Sequence, residues 1–224
     1  MKTKILALLV ILALAGCSSQ DNNRAGSVSH AEEDFNHQAI ENYRLTINGT
    51  DYDLGLDAQK IITLADGEKL AVCLAQKEII AFQSTLCSFS HNSSYIPSKT
   101  ELGDGIYQTM LMSPLGTGIM IQEYTKLDPS QLVNIMLQEL TKEEVQYGYA
   151  YEEKEATKQL ADGVILRGKE ATTSYGDEKW HRAVYAYGAG DHGVLLVTMI
   201  EQENVATEQY ILDTFWKSLR LHMK

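Results

Sequence analysis

Val194-Leu-Leu-Val-Thr-Met-Ile200 decides the fold, because its side chains are apolar at odd and even positions alike, with Thr198 the lone exception. Side chains of a strand point alternately to opposite faces of a sheet. A run that is apolar on both is therefore a central strand covered on each side. Just downstream, Asn204 opens a stretch in which Ile211, Leu212, Phe215, Trp216 and Leu219 form one stripe at helical spacing. Such a helix has one face to bury, and the neighbouring sheet is where it can do so.

Upstream, Tyr149 to Lys158, Val164 to Thr173 and Lys179 to Tyr187 alternate like strands, joined by Asp162-Gly163, Tyr175-Gly176-Asp177 and the glycine-rich Gly188-Ala-Gly-Asp-His-Gly193. Before them the period changes. Asp128 suits an N-cap and Pro129 a first helical position, and Leu132, Val133, Met136, Leu137 and Leu140 predict an amphipathic helix over 129–146. Earlier still come strand-like runs at 79–82, 85–90, 106–112 and 118–125, the last two separated by a turn at Pro114 and Gly116. Asn48-Gly49 lies between Tyr43–Ile47 and Asp51–Leu54, a strong hairpin signal, and Asp66-Gly67 lies likewise between 61–64 and 69–74. The class is α+β: an antiparallel meander with packed helices and an N-terminal β-hairpin extension. We assign 43–224 to a single globular domain, with the extension over 43–87 and the core over 88–224.

The order of elements from Ser88 to Leu221 carries a family resemblance. Ser88-Phe89-Ser90 runs into Tyr95-Ile96-Pro97. The strand pair ending in Gly118–Glu123, the helix begun by Asp128-Pro129, the meander and Phe215-Trp216-Lys217-Ser218-Leu219 come after it. This order resembles the PsbP-like or DcrB-like α/β/α sandwich of small exported lipoproteins and of an extrinsic photosystem II subunit. The resemblance implies a binding or assembly role.

Met1-Lys2-Thr3-Lys4 and the apolar run Ile5 to Ala15 have the order of a secretory signal. The run is too short for a membrane-spanning helix, which needs about 20 residues. Leu14-Ala15-Gly16-Cys17 resembles the lipobox of bacterial lipoproteins. That resemblance implies removal of residues 1–16 and acylation of Cys17. Ser18 rather than Asp comes next, which by the same resemblance implies, in a Gram-negative host, an outer-membrane position facing the periplasm. In other hosts the place would be the outer face of the cytoplasmic membrane. Residues 17–42 carry too little apolar content for a core element and read as a polar tether, about 25–30 Å long on average.

Charge excludes one large class of partner. The chain carries 19 basic and 30 acidic residues, a net of −11, and losing Lys2 and Lys4 with the leader takes it to −13. Nucleic-acid binding needs clustered Lys and Arg, and no basic stripe exists. An anionic membrane would repel this domain, so the lipid has to hold it. At about 0.8 kcal/mol per buried CH₂, several acyl chains suffice. The expected partners are the membrane, through the lipid, and an envelope protein or a small ligand.

No catalytic or metal constellation stands out, and no cofactor is expected. The six histidines are scattered singly, with no His-x-x-x-His and no Cys-x-x-Cys. Cys73 and Cys87 are an even pair in an oxidising compartment, either bridged across strands or both free. Tyr149, Tyr151, Tyr185 and Tyr187 fall at alternate positions of two strands, each pair on one sheet face, where tyrosine either recognises a ligand or packs beneath a helix. His192, Tyr185 and Tyr187 are the candidate ligand contacts. A non-catalytic binding role stands first; an envelope hydrolase with its site near the 188–193 loop stands second.

Overall fold

The computed structural model describes residues 43–223. The leader, Cys17 and the tether lie outside the described residues. Among those described, no helix is long and apolar enough to cross a membrane.

β1 (Tyr43–Ile47) and β2 (Thr50–Leu54) pair antiparallel around Asn48 and Gly49. Both turn residues have positive φ, 49° and 82°, as the two-residue hairpin requires. β3 (Gln59–Thr63) and β4 (Lys69–Cys73) form a second hairpin. Its turn is longer, with the Leu64 N–H bonded to the Glu68 carbonyl and Gly67 at φ 87°. These strands belong to one unit that ends at Gln76; a second begins at Lys77.

The second unit begins with β5 (Ile79–Gln83), which pairs with β6 (Cys87–Asn92). This pairing places residues 79–87 in the second unit rather than in the N-terminal extension, so the division falls at 76/77 and not at 87/88. The chain then turns at Ser93 and Ser94, where Asn92 Oδ1 accepts the Ser94 N–H at 2.8 Å. Tyr95-Ile96-Pro97 is therefore no strand, and β7 (Ser98–Gly103) starts after it. β8 (Ile106–Met112) and β9 (Gly118–Tyr124) come next.

At Asp128 the side chain accepts the Ser130 N–H at 2.9 Å, a 3-10 turn runs over Pro129–Leu132, and α1 (Val133–Tyr147) continues it. β10 (Ala150–Gln159), β11 (Ile165–Tyr175), β12 (Glu178–Ala189) and β13 (His192–Glu201) form the meander, before α2 (Val205–Ser218) and the short β14 (Arg220–Leu221). The main sheet is antiparallel throughout, in the order β10-β11-β12-β13-β9-β8-β7. A smaller sheet has the order β14-β6-β5.

β13 lies in the middle of the seven strands, and Val194, Leu195, Leu196 and Val197 are all fully buried. Leu195 and Val197 join Val133 and Leu137 of α1 in one core. Val194, Leu196 and Ile200 join Ile211, Leu212, Phe215 and Leu219 of α2 in the other, which β6 completes through Cys87 and Phe89. The doubly apolar strand thus has a helix on each face, and the α+β class results from this layering.

Candidate functional site

α1 ends at Gly148, whose φ of 109° lets its N–H turn back to the carbonyls of Glu144 and Val145. The chain passes at once into β10, so Tyr147 and Tyr149 flank a sharp corner. The β10–β11 register pairs Ala150 with Ser174 and brings Tyr175 to the same place. The Tyr149 and Tyr175 rings stack with centroids 5.3 Å apart and planes 28° apart. Tyr147 meets Tyr175 edge-on at 5.5 Å and Tyr149 at 6.1 Å. Tyr147 nonetheless stays 73% exposed and Tyr175 53%. Two solvent-facing rings in contact with the half-buried Tyr149 offer a preformed aromatic surface with polar tips.

Glu178, at the start of β12, locks the arrangement. One carboxylate oxygen accepts the Tyr149 hydroxyl at 2.5 Å and the other the Trp180 indole N–H at 2.8 Å. The Tyr149 bond is the main cause that holds Glu178 below the usual carboxylate range, and the same bond pushes the Tyr149 phenol up to about 12. At neutral pH the phenol therefore donates to a charged carboxylate. The bond persists from alkaline pH down until acid protonates Glu178, because the depressed pKa of a carboxylate stabilises its paired form only above that pKa.

Beneath the corner, Arg182 of β12 sends both terminal nitrogens to the two oxygens of Glu144 on α1, one of them at 2.8 Å, and donates to Thr173 Oγ1 at 2.8 Å. Thr173 Oγ1 in turn donates to Glu144 at 2.6 Å. The guanidinium lies 5.3 Å from the Trp180 ring. A bidentate pair this enclosed fixes where the end of α1 sits, and with it Tyr147.

The residues singled out from sequence fall elsewhere. Tyr185 is 3% exposed, its ring edge-on to Trp216 at 5.5 Å and its hydroxyl donated to Glu170 at 2.7 Å. Tyr187 is half-buried against the same core. Tyr151 packs partly into the core under α1 and donates to Glu153. Burial withdraws Tyr185 from solute contact, and the structure assigns it to packing beneath α2. His192 opens β13, paired with Ala189 across the Gly190-Asp191 turn, with Nδ1 3.2 Å from Asp191 Oδ1. The glycines flanking that turn, near the end of β12 and the start of β13, have a local reason: a Cβ at Gly188 would lie 2.0 Å from Asp128 Oδ1, and one at Gly193 2.4 Å from Pro129 Cδ. They let the two strand ends sit against the 3-10 turn that precedes α1. Neither Tyr147 nor Tyr175 was singled out from the sequence, since only the strand register makes them neighbours.

No protein-family model matches the chain, and no curated protein does. Among solved structures it is similar to the solution structure of cyanobacterial PsbP (CyanoP) from Synechocystis sp. PCC 6803, at 8% identity and a TM-score of 0.43. That alignment covers 65% of this chain and 93% of the other. At such identity the likeness concerns the fold alone.

A groove of about 520 Å³ opens on the α2 side of the sheet, lined by Glu152, Lys154, Glu170, Thr172, His181 and Leu212 among others. Lys154 lies 3.1 Å from Glu170, and the two His181 ring nitrogens face Thr172 Oγ1 at 3.3 Å and Gln202 Oε1 at 2.7 Å. No group of three or more metal-ligating side chains occurs among the described residues.

Cys73 and Cys87 are free thiols, the first exposed and the second buried. Burial pushes the Cys87 thiol up to about 12, while Ser84 Oγ sits 3.2 Å from its sulfur. Thiolates react and thiols do not. In a chain carrying Cys17→Ser, a thiol reagent at pH 8 is expected to label one cysteine at once and the second only in denaturant. Failure of both to label without reductant would reveal a bridge instead.

Proposed function

We propose that this chain is a lipid-anchored envelope protein whose sandwich unit binds an envelope protein or a small ligand and catalyses no reaction. The observation that carries the binding role is the corner of Tyr147, Tyr149 and Tyr175. Exposed aromatic rings are costly to leave in water, and here Tyr147 and Tyr175 rest on each other and on Tyr149, which Glu178 holds, rather than being tucked into the core. A rigid ring loses little conformational entropy on binding, which suits a recognition surface. The anchor rests on Leu14-Ala15-Gly16-Cys17.

Two measurements test this. Cells fed labelled fatty acid should label the parent chain and not Cys17→Ser, which should leave the membrane fraction. In crosslinked envelopes, Tyr147→Ser with Tyr175→Ser should lose the captured partner while the unfolding midpoint moves little, since both side chains are surface groups. An unlabelled parent would end the lipoprotein reading. Undiminished capture by the double variant would remove the tyrosine corner as the surface.

The hydrolase reading keeps one supporting observation, the groove in which His181 lies among glutamates. That groove's His181 lies toward the opposite end of β12 from the 188–193 loop, seven residues away along the strand, or roughly 23 Å. Its histidine is held by Thr172 and Gln202 rather than by an acid. Loss of any envelope hydrolysis on His181→Ala would restore this reading.

A further inference from the structure

Sheet edges attract other strands, and proteins guard them with charge, bulges or brevity. Three edges of the second unit are guarded. β10 carries Glu152, Glu153, Lys154, Glu155 and Lys158. β7 carries Lys99 and Glu101 and a register shift between Glu101 and Gly103. β14 is two residues long. The fourth edge, β5, is Ile79-Ile-Ala-Phe-Gln83, with no charge, no proline and no bulge, and with Ile79 42% and Ile80 38% exposed. It pairs with β6 on one side only.

The hydrogen bonds show which backbone groups are free on the other side. The Ser84 N–H bonds to the Cys87 carbonyl, and the Ser93 N–H to the Glu78 carbonyl. In an antiparallel ladder the bonded residues alternate. Ile80 and Phe82 therefore face β6 with their backbone groups, while those of Ile79, Ala81 and Gln83 point outward.

We infer that β5 is a self-association edge, pairing antiparallel with β5 of a second copy about a two-fold axis through Ala81. This register sets Ala81 against its copy and Ile79 against Gln83, so each outward residue meets an outward residue. Ile80 then lies opposite Phe82, both on the face that β5 shares with Phe89 and His91, so the apolar faces stay continuous across the joint. Beyond the strand, Glu78 meets Ser84 and Lys77 meets Thr85, and no like charges are opposed. A slip by one residue would set Ile79 and Ala81 against Phe82 and Ile80 and turn one apolar face over. A second copy thus fits the edge in composition, backbone phase and charge.

The test uses the mature chain from position 17 carrying Cys17→Ser, so that no acyl chain drives association. Sedimentation should show a concentration-dependent dimer. Ala81→Pro removes an outward N–H and leaves the β5–β6 ladder intact. Ile79→Lys adds the charge that the other edges already have. Each is expected to raise the dimer dissociation constant roughly tenfold or more, with tryptophan fluorescence unchanged. A parent chain that stays monomeric at millimolar concentration overturns the inference. So does a dimer that survives Ile79→Lys, the variant that keeps every backbone group should Ala81→Pro unfold.

Discussion

Replacing Glu144 with Ala is expected to destabilise the second unit by about 3 kcal/mol, at the low end of what removing one partner of a buried ion pair costs. The cause is the group left behind. The Arg182 side chain is only 8% exposed, and without Glu144 it keeps Thr173 and the Trp180 face but no counter-charge. The opposite change differs. Glu144 is 21% exposed, so after Arg182→Met its carboxylate can turn to water while the methionine fills the vacated volume, and the cost should be near ~1 kcal/mol. The asymmetry is the test, since a pair that merely decorated the surface would give similar small values from either side. Trp180 and Trp216 are the chain's two tryptophans and both lie in the second unit, so urea unfolding followed by their fluorescence reports that unit alone. In a thermal melt read by the same fluorescence, the Glu144→Ala midpoint of a unit this size should fall by roughly 6–12 °C. Equal effects from the two substitutions would mean that packing, not charge, holds the end of α1 to the sheet.

The same pair shows what a sequence can and cannot disclose. Val194–Ile200, Asp128-Pro129 and Asn48-Gly49 were readable because each satisfies its constraint locally: burial on both faces, an N-cap with its proline, a turn that needs positive φ twice. Glu144 follows Glu143 in the sequence, and nothing in that polar stretch marks it as one half of a buried pair. Its partner Arg182 lies 38 residues away and meets it only through the register of β11 on β12. β7 escaped notice for a related reason. Exposed along nearly its whole length, Ser98–Gly103 has no apolar alternation to mark it as a strand. Tyr185 shows the converse, where alternation assigned a sheet face correctly but could not say that α2 would cover it. The tyrosine corner required two distant segments, 147–149 and 175–178, to converge, and no local period encodes convergence.

Gly168→Ala is expected to be the most damaging single methyl in the sheet, costing about 3 kcal/mol, the upper end of the usual range for overpacking. Gly168 pairs with Tyr185 across β11 and β12. A Cβ there would lie 2.0 Å from the Val184 carbonyl oxygen, 2.7 Å from Tyr185 Cα and 2.9 Å from the Tyr185 ring. Two of the three obstacles are backbone, so no side-chain rotation relieves them. The strand must move, and Tyr185 moves with it, away from Trp216 and from its bond to Glu170. The glycine is what lets a large aromatic ring lie flat over its neighbour strand beneath α2. Gly176 is the control. It has a φ of 59° and nothing within 4 Å of an added Cβ, so Gly176→Ala meets only the left-handed backbone penalty of roughly 1–2 kcal/mol. If Gly168→Ala cost no more than Gly176→Ala in urea, and left the Trp216 emission unshifted, the β11–β12 ladder would have slack that these distances deny.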